Sequence, residues 1–180
     1  MKSFRIALVL FFVFLAVACP KRLQAQTAGN SVVPYVDLSK YLGLWYEIAR
    51  YDAWFQKNAL ASTAHYSLRK DGNIKVVNTL WKKSNPSETQ SAVAKAWVFD
   101  KKTNAKLKVE FFWPFAGDYW IIQLGENYEY AVVGSPKKDY LWILCRKPVM
   151  DEAVYNKILA KLVEQGYDIN KLIKDVPQVK

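Results

Sequence analysis

The chain has 180 residues, 52% of them hydrophobic and 15% aromatic, and a formal net charge of +10. That is enough apolar material for one domain with a substantial core, so no second domain is needed. With two cysteines and one histidine there is no metal-ligand cluster, and nucleophile-elbow and Gly-rich phosphate-loop motifs are also missing, which leaves little for an enzyme reading.

The N-terminus is set apart from the rest. Lys2 and Arg5 precede an apolar run over residues 6–18, too short to span a bilayer and of the length of a secretory signal. Two exits compete. Leu15-Ala16-Val17-Ala18-Cys19 resembles a bacterial lipobox, which makes residues 1–18 the signal and Cys19 a lipidated first residue. Leu23-Gln24-Ala25 is an acceptable ordinary cleavage site, which extends the signal to residue 25. We take the first, because Pro20-Lys21-Arg22 would be odd inside a conventional signal; residues 19–34 then form a flexible tether and residues 35–180 the domain. Cleavage before Cys19 removes Lys2 and Arg5 and leaves +8; cleavage after Ala25 also removes Lys21 and Arg22 and leaves +6. A basic exported domain points to anionic lipid surfaces or acidic amphiphiles, not to nucleic acid.

In chain order, Asp37 caps a short helical turn that leads into Gly43. Gly43-Leu44-Trp45-Tyr46-Glu47-Ile48-Ala49-Arg50 reads as the first strand, with aromatic and β-branched residues behind a glycine entry. A loop carrying Trp54 and Phe55 follows, then strands over residues 62–68 and 74–81 around an Asp71-Gly72 hairpin turn. A polar turn over residues 82–88 separates these from a strand over 90–99. Residues 106–111 alternate most clearly, with Leu107, Val109 and Phe111 on one face and charges on the other. An aromatic turn over 113–118 precedes strands at 119–124, 129–134 and 139–146, the last ended by Pro148. Eight strands joined by short turns form a meander, which can close into an up-and-down antiparallel β-barrel wide enough for one small ligand. One α-helix, capped by Asp151 and ended by Gly166, has an apolar stripe that packs it outside the barrel, and the tail after Asp168 can add an edge strand. Cys145 has no disulfide partner and reads as a small buried hydrophobe.

Three blocks carry a resemblance. Gly43-x-Trp45-Tyr46-Glu47-Ile48-Ala49-Arg50, Tyr130-Ala131-Val132-Val133-Gly134 and Tyr140-Leu141-Trp142-Ile143-Leu144-Cys145-Arg146 stand in the order and spacing of lipocalin signatures, and from about Tyr35 onward the chain resembles the bacterial outer-membrane lipoprotein lipocalins. The resemblance implies a calyx closed at one end and open at the other, with lipidic molecules inside. It also implies that Trp45 packs against Arg146 at the closed end, a structural pair contributing roughly 0.5–2 kcal/mol. Symmetric dimers occur among such relatives, and no patch in this sequence singles one out.

If Arg146 points toward the closed end, Trp142 and Tyr140 share its inward face. With the family as guide, the expected lining is Ala64, Tyr66, Val76, Asn78, Val98, Val109, Phe111, Trp120, Ile122, Tyr140 and Trp142, a slot suited to an acyl chain. Loops after the odd-numbered strands lie at the open end, which gathers Trp54, Phe55, Trp113 and Phe115 with Lys57, Lys82, Lys83, Lys137 and Lys138. Such a rim would receive the anionic head of a fatty acid or lysophospholipid. The plainer alternative is solvated turn lysines. An envelope protein that stores or transports these lipids, anchored to the outer membrane through Cys19, is the resulting expectation, with a soluble periplasmic form as the alternative. No cofactor or metal is implied. A tetrapyrrole or other pigment, met by the aromatic lining and His65, is the alternative ligand, and a lipid-modifying enzyme a further one.

Overall fold

The computed structural model describes residues 31–177. The proposed signal, Cys19 and most of the tether lie outside the described residues. A helical turn α1 (Leu38–Tyr41) leads into β1 (Gly43–Tyr51), followed by a 3-10 turn (Trp54–Gln56), β2 (Ala59–Leu68), β3 (Ile74–Lys82), β4 (Asn85–Val98), β5 (Lys106–Phe112), β6 (Phe115–Leu124), β7 (Tyr130–Gly134) and β8 (Leu141–Cys145). Helix α2 (Glu152–Glu164), a second 3-10 turn (Ile169–Lys171) and β9 (Leu172–Lys174) complete the chain. From β1 to β8 consecutive strands pair antiparallel, and β1 pairs with both β8 and β2, so the meander closes into an eight-stranded barrel with no free edge in its lower half.

Several strands run further than alternation indicates. The expected polar turn over residues 82–88 is largely β4, and the expected aromatic turn over 113–118 shrinks to Trp113-Pro114 between β5 and β6. These extensions are hairpin ends that overhang the barrel: Thr79 and Ser91 exchange a hydroxyl hydrogen bond at 2.9 Å, and β4 residues 85–93 are all exposed. With water on both faces, no apolar alternation marks them.

Two apolar clusters share the wall. One fills the barrel and includes Trp45, Tyr66, Val76, Leu107, Ile121, Val133 and Leu144. The other lies between the outer face of β6–β8 and helix α2, and includes Ile122, Leu141, Ile143, Ile158 and Leu162. Asp151 caps α2 by accepting from the Val154 amide, and the buried stripe Tyr155, Ile158 and Leu162 faces the wall. Strand β9 pairs with β1 at Ala49–Tyr51, where β1 has parted from β2.

Candidate functional site: the barrel interior and its mouth

The closed end is built by Arg146. Its guanidinium lies 3.7 Å from the centre of the Trp45 ring. Nη1 donates to the Leu44 carbonyl, Nη2 to the carbonyls of Lys40, Tyr41 and Leu42, and Nε to that of Tyr128. One cation thus caps the C-terminal carbonyls of α1, which no helical N–H can reach. Gly43, at φ +95°, makes the turn from α1 into β1 beside this guanidinium. Above the plug, the Tyr119 hydroxyl meets those of Tyr41 at 2.7 Å and Tyr66 at 2.8 Å. Burial pushes all three phenols up, Tyr66 to about 12. Neither Tyr41 nor Tyr119 figured in the expected lining.

Most of the expected wall residues face this space. Tyr66 and Val76 are buried within the interior cluster, and Ala64, Val98, Val109 and Trp142 pack against it. Asn78 pairs with Ala64 across β2–β3, and its Oδ1 is buried without a hydrogen-bond partner. The Tyr140 ring stacks on Trp142 with centroids 5.7 Å apart.

Three residues depart from the expectation. Trp120 and Ile122 do not line the interior but join the cluster against α2. Tyr119, opposite Leu107, takes the inward position, as does Ile121, opposite Val133. A register shift between Ile121 and Gln123 then turns both Ile122 and Gln123 outward, and Gln123 Nε2 donates to the Ile158 carbonyl of α2. Phe111 is 38% exposed and belongs to neither cluster. Pairing of β5 with β4 stops at Glu110, so Phe111 lies beyond the last rung of the wall.

A second irregularity brings charge inside. The β1–β8 register shifts between Glu47 and Ala49, so Glu47 stands opposite Leu144 and Arg50 opposite Trp142, both inward positions. Arg50 is 1% exposed. Its Nη1 contacts both Asp175 Oδ1 and, at 3.2 Å, Glu47 Oε1, and its Nη2 donates to the Ala59 carbonyl at 2.9 Å. Asp175 enters from the tail after β9 and also accepts from the Ser62 amide at 2.8 Å. Gln56, reaching down from the mouth, donates through Nε2 to the Glu47 carboxylate at 3.1 Å, and its Oε1 accepts from Trp142 Nε1 at 2.9 Å. Sequence reasoning left Glu47 unassigned and did not weigh Arg50, Gln56 or Asp175. The available signal was a glutamate and an arginine, three residues apart, within one otherwise uncharged strand.

Burial pushes the Glu47 carboxyl from its ordinary 4.5 up to about 7, against the opposing pull of Arg50 and Gln56. The folded protein therefore holds a proton that the unfolded chain has already shed, and stability falls as pH rises from about 4.5 through about 7. Glu47→Gln should remove this component, on the order of 3 kcal/mol, as measured by urea unfolding of both proteins at pH 5 and pH 8. Equal pH slopes would rule the assignment out.

The mouth is aromatic. Trp54, Phe112, Trp113 and Phe115 are 75–85% exposed, and Phe55 stacks over Tyr140 and Trp142. Phe112, missed in the sequence, extends the apolar tip of the β5–β6 hairpin. Lys57, Lys83 and Lys137 are exposed in mouth loops, whereas Lys82 pairs with Glu88. Lys138 does not belong to the rim. Its Nζ donates to the Gln165 carbonyl at 2.7 Å and lies over the Tyr167 ring, drawn to the C-terminus of α2. His65 is exposed on β2, opposite Leu44 and Val77.

A barrel of this topology, plugged by an arginine on a tryptophan and flanked by one helix, also has sequence relatives. The lipocalin-like domain model matches residues 36–177. The chain belongs to the lipocalin family. This lipocalin is 42% identical over 162 residues to the outer membrane lipoprotein Blc of Escherichia coli K12, covering 89% of each chain. It is 39% identical to temperature-induced lipocalin-1 of Arabidopsis thaliana, over 79% of this chain and 80% of that one. Apolipoprotein D of Mus musculus is 37% identical, with 76% and 74% covered. Among solved structures, insecticyanin from the tobacco hornworm Manduca sexta superposes with a TM-score of 0.64 at 18% identity, covering 81% of this lipocalin and 84% of that chain. Lobster apocrustacyanin A1 does so with 0.63 at 17%, covering 78% and 79%. At such identities the likeness establishes the fold alone.

Proposed function

We propose that this lipocalin carries lipid in the bacterial envelope, taking the acyl chain of a fatty acid or lysophospholipid into the barrel and holding its anionic head at the open end. The observation that carries this reading is the polarity of the barrel: a largely apolar, aromatic interior, plugged below by Arg146 and fringed above by exposed aromatics and lysines. The acyl chain would run past Val76, Val98 and Val109, with Tyr119 and Ile121 in place of Trp120 and Ile122, and with Trp142 and Tyr140 nearer the mouth. The outer membrane lipoprotein relatives support an envelope location and an anchor at Cys19. Native mass spectrometry of protein purified gently from its envelope, repeated after organic extraction, tests both points. An acylated Cys19 with co-purifying monoacyl lipid is the expected result; a Gln26 start with no lipid would overturn it.

The rim makes a separate prediction. Because Lys138 is committed to α2, the residues to change are Lys83 and Lys137. Each exposed lysine near an anionic surface contributes about 1 kcal/mol, so reversing both to glutamate should slow transfer to anionic vesicles by roughly tenfold or more. Transfer to zwitterionic vesicles should be unaltered. An unchanged rate on anionic vesicles would reduce these lysines to solvated turn residues.

A further inference from the structure

The inward-facing polar group at the top of the calyx is not explained by holding an acyl chain. The Glu47 side chain is 7% exposed and lies on the interior face of β1, yet its carboxylate is not needed to neutralise Arg50, which Asp175 already meets. What completes Glu47 is a side chain from the mouth. Gln56 belongs to the same short turn as Trp54 and Phe55, which are 75% and 46% exposed, and its carboxamide reaches in between Glu47 and Trp142. There it presents one N–H to a carboxylate and one carbonyl to an indole N–H, with a further contact from Nε2 to Ser62 Oγ at 3.3 Å. Two strands round the wall, on β3, the buried Asn78 Oδ1 has no hydrogen-bond partner.

Beside Gln56 stand one acceptor, the Glu47 carboxyl, and one indole donor, Trp142 Nε1, with the Arg50 guanidinium behind Glu47. A ligand group that both donates and accepts can replace both Gln56 contacts at once. A group with a hydroxyl beside an ester carbonyl reproduces the Gln56 pattern: its O–H donates to Glu47 and its carbonyl accepts from Trp142. We propose that Glu47 and Trp142 form an interior subsite for the ester carbonyl and free hydroxyl of a monoacylated glycerol, with the Gln56 carboxamide as an exchangeable placeholder. The inference rests on the carrier reading and deepens it. The acyl chain lies below this subsite, and any phosphate the lipid bears lies above it, toward Lys83 and Lys137.

The test is displacement of the apolar fluorophore N-phenyl-1-naphthylamine from the full chain by 1-monomyristoylglycerol and by methyl myristate, which has the ester but no hydroxyl. Wild type should bind the monoacylglycerol about tenfold more tightly, the scale of one or two net hydrogen bonds. Glu47→Leu should bring that ratio close to one. Gln56→Ala, a change in a surface turn, should tighten monoacylglycerol binding about three- to tenfold by removing the competitor. A ratio near one in wild type, or a ratio unchanged by Glu47→Leu, overturns the subsite. If Glu47→Leu does not fold, Gln56→Ala decides: monoacylglycerol affinity that is unchanged or weaker overturns it equally. Failure of any acyl ligand to displace the fluorophore would instead overturn the carrier reading, and the subsite with it.

Discussion

Replacing Asp175 with alanine should cost about 3–5 kcal/mol of stability, a large effect for the third-last described residue. Asp175 and Arg50 have side chains 2% and 1% exposed, so the carboxylate is what neutralises a guanidinium taken almost fully out of water. The same carboxylate receives the Ser62 amide, and the Asp175 amide donates to the Ile48 carbonyl at 3.0 Å. Its loss strands a charge and a backbone donor together, where removal of an exposed ion-pair partner would cost at most about 1 kcal/mol. A second effect follows in the same variant. Arg50 is left with Glu47 as its only carboxylate, the ionised form of Glu47 is favoured, and the loss of stability between about pH 4.5 and 7 flattens. Urea unfolding across that range reads both effects. Amide exchange should also show β9 opening before the barrel, since the variant leaves the tail only its backbone bonds to β1 and β2. A change below about 1 kcal/mol would mean that water or Glu47 replaces Asp175, and the seam would not be a stabilising element.

Arg146→Ala should cost about 3 kcal/mol and loosen the closed end. The variant loses the cation over Trp45 and leaves the carbonyls of Lys40, Tyr41, Leu42 and Leu44 without their guanidinium donor. Trp45 Nε1 still donates to Tyr41 O at 2.8 Å, so the indole stays and the missing part is the cap on α1. Arg146→Lys should recover less than half of the loss, because an ammonium keeps the charge but cannot present a planar fork to carbonyls on two sides. Thermal unfolding orders the three proteins, with a shift of roughly 5–10 °C expected for alanine. If lysine proved fully equivalent to arginine, charge alone would account for the plug.

The resemblance supplied the closed and open ends; the amino-acid sequence by itself determined the number and order of the barrel strands and the place of α2 outside the wall. These follow from local chemistry: Gly43 before an apolar strand, Asp71-Gly72 as a hairpin turn, the alternation from Leu107 to Val109, and Asp151 ahead of an apolar stripe at helical spacing. It did not determine which face of β6 looks inward. Strands β6–β8 are apolar on both faces, one against the barrel interior and one against α2, so alternation carries no information there, and the register with β5 assigned Tyr119 and Ile121 to the interior and Trp120 to the outside. Nor could it locate the charges in the calyx. A strand pattern of period two places Glu47 and Arg50 on opposite faces; one register shift in β1 puts both inside, and such a shift is specified by the pairing of two distant strands. Asp175 lies 125 residues from Arg50, and Gln56 reads as an ordinary loop residue. Only closure of the barrel brought these side chains together at the top of the interior, because their meeting depends on where β1 parts from β2 and what fills the gap.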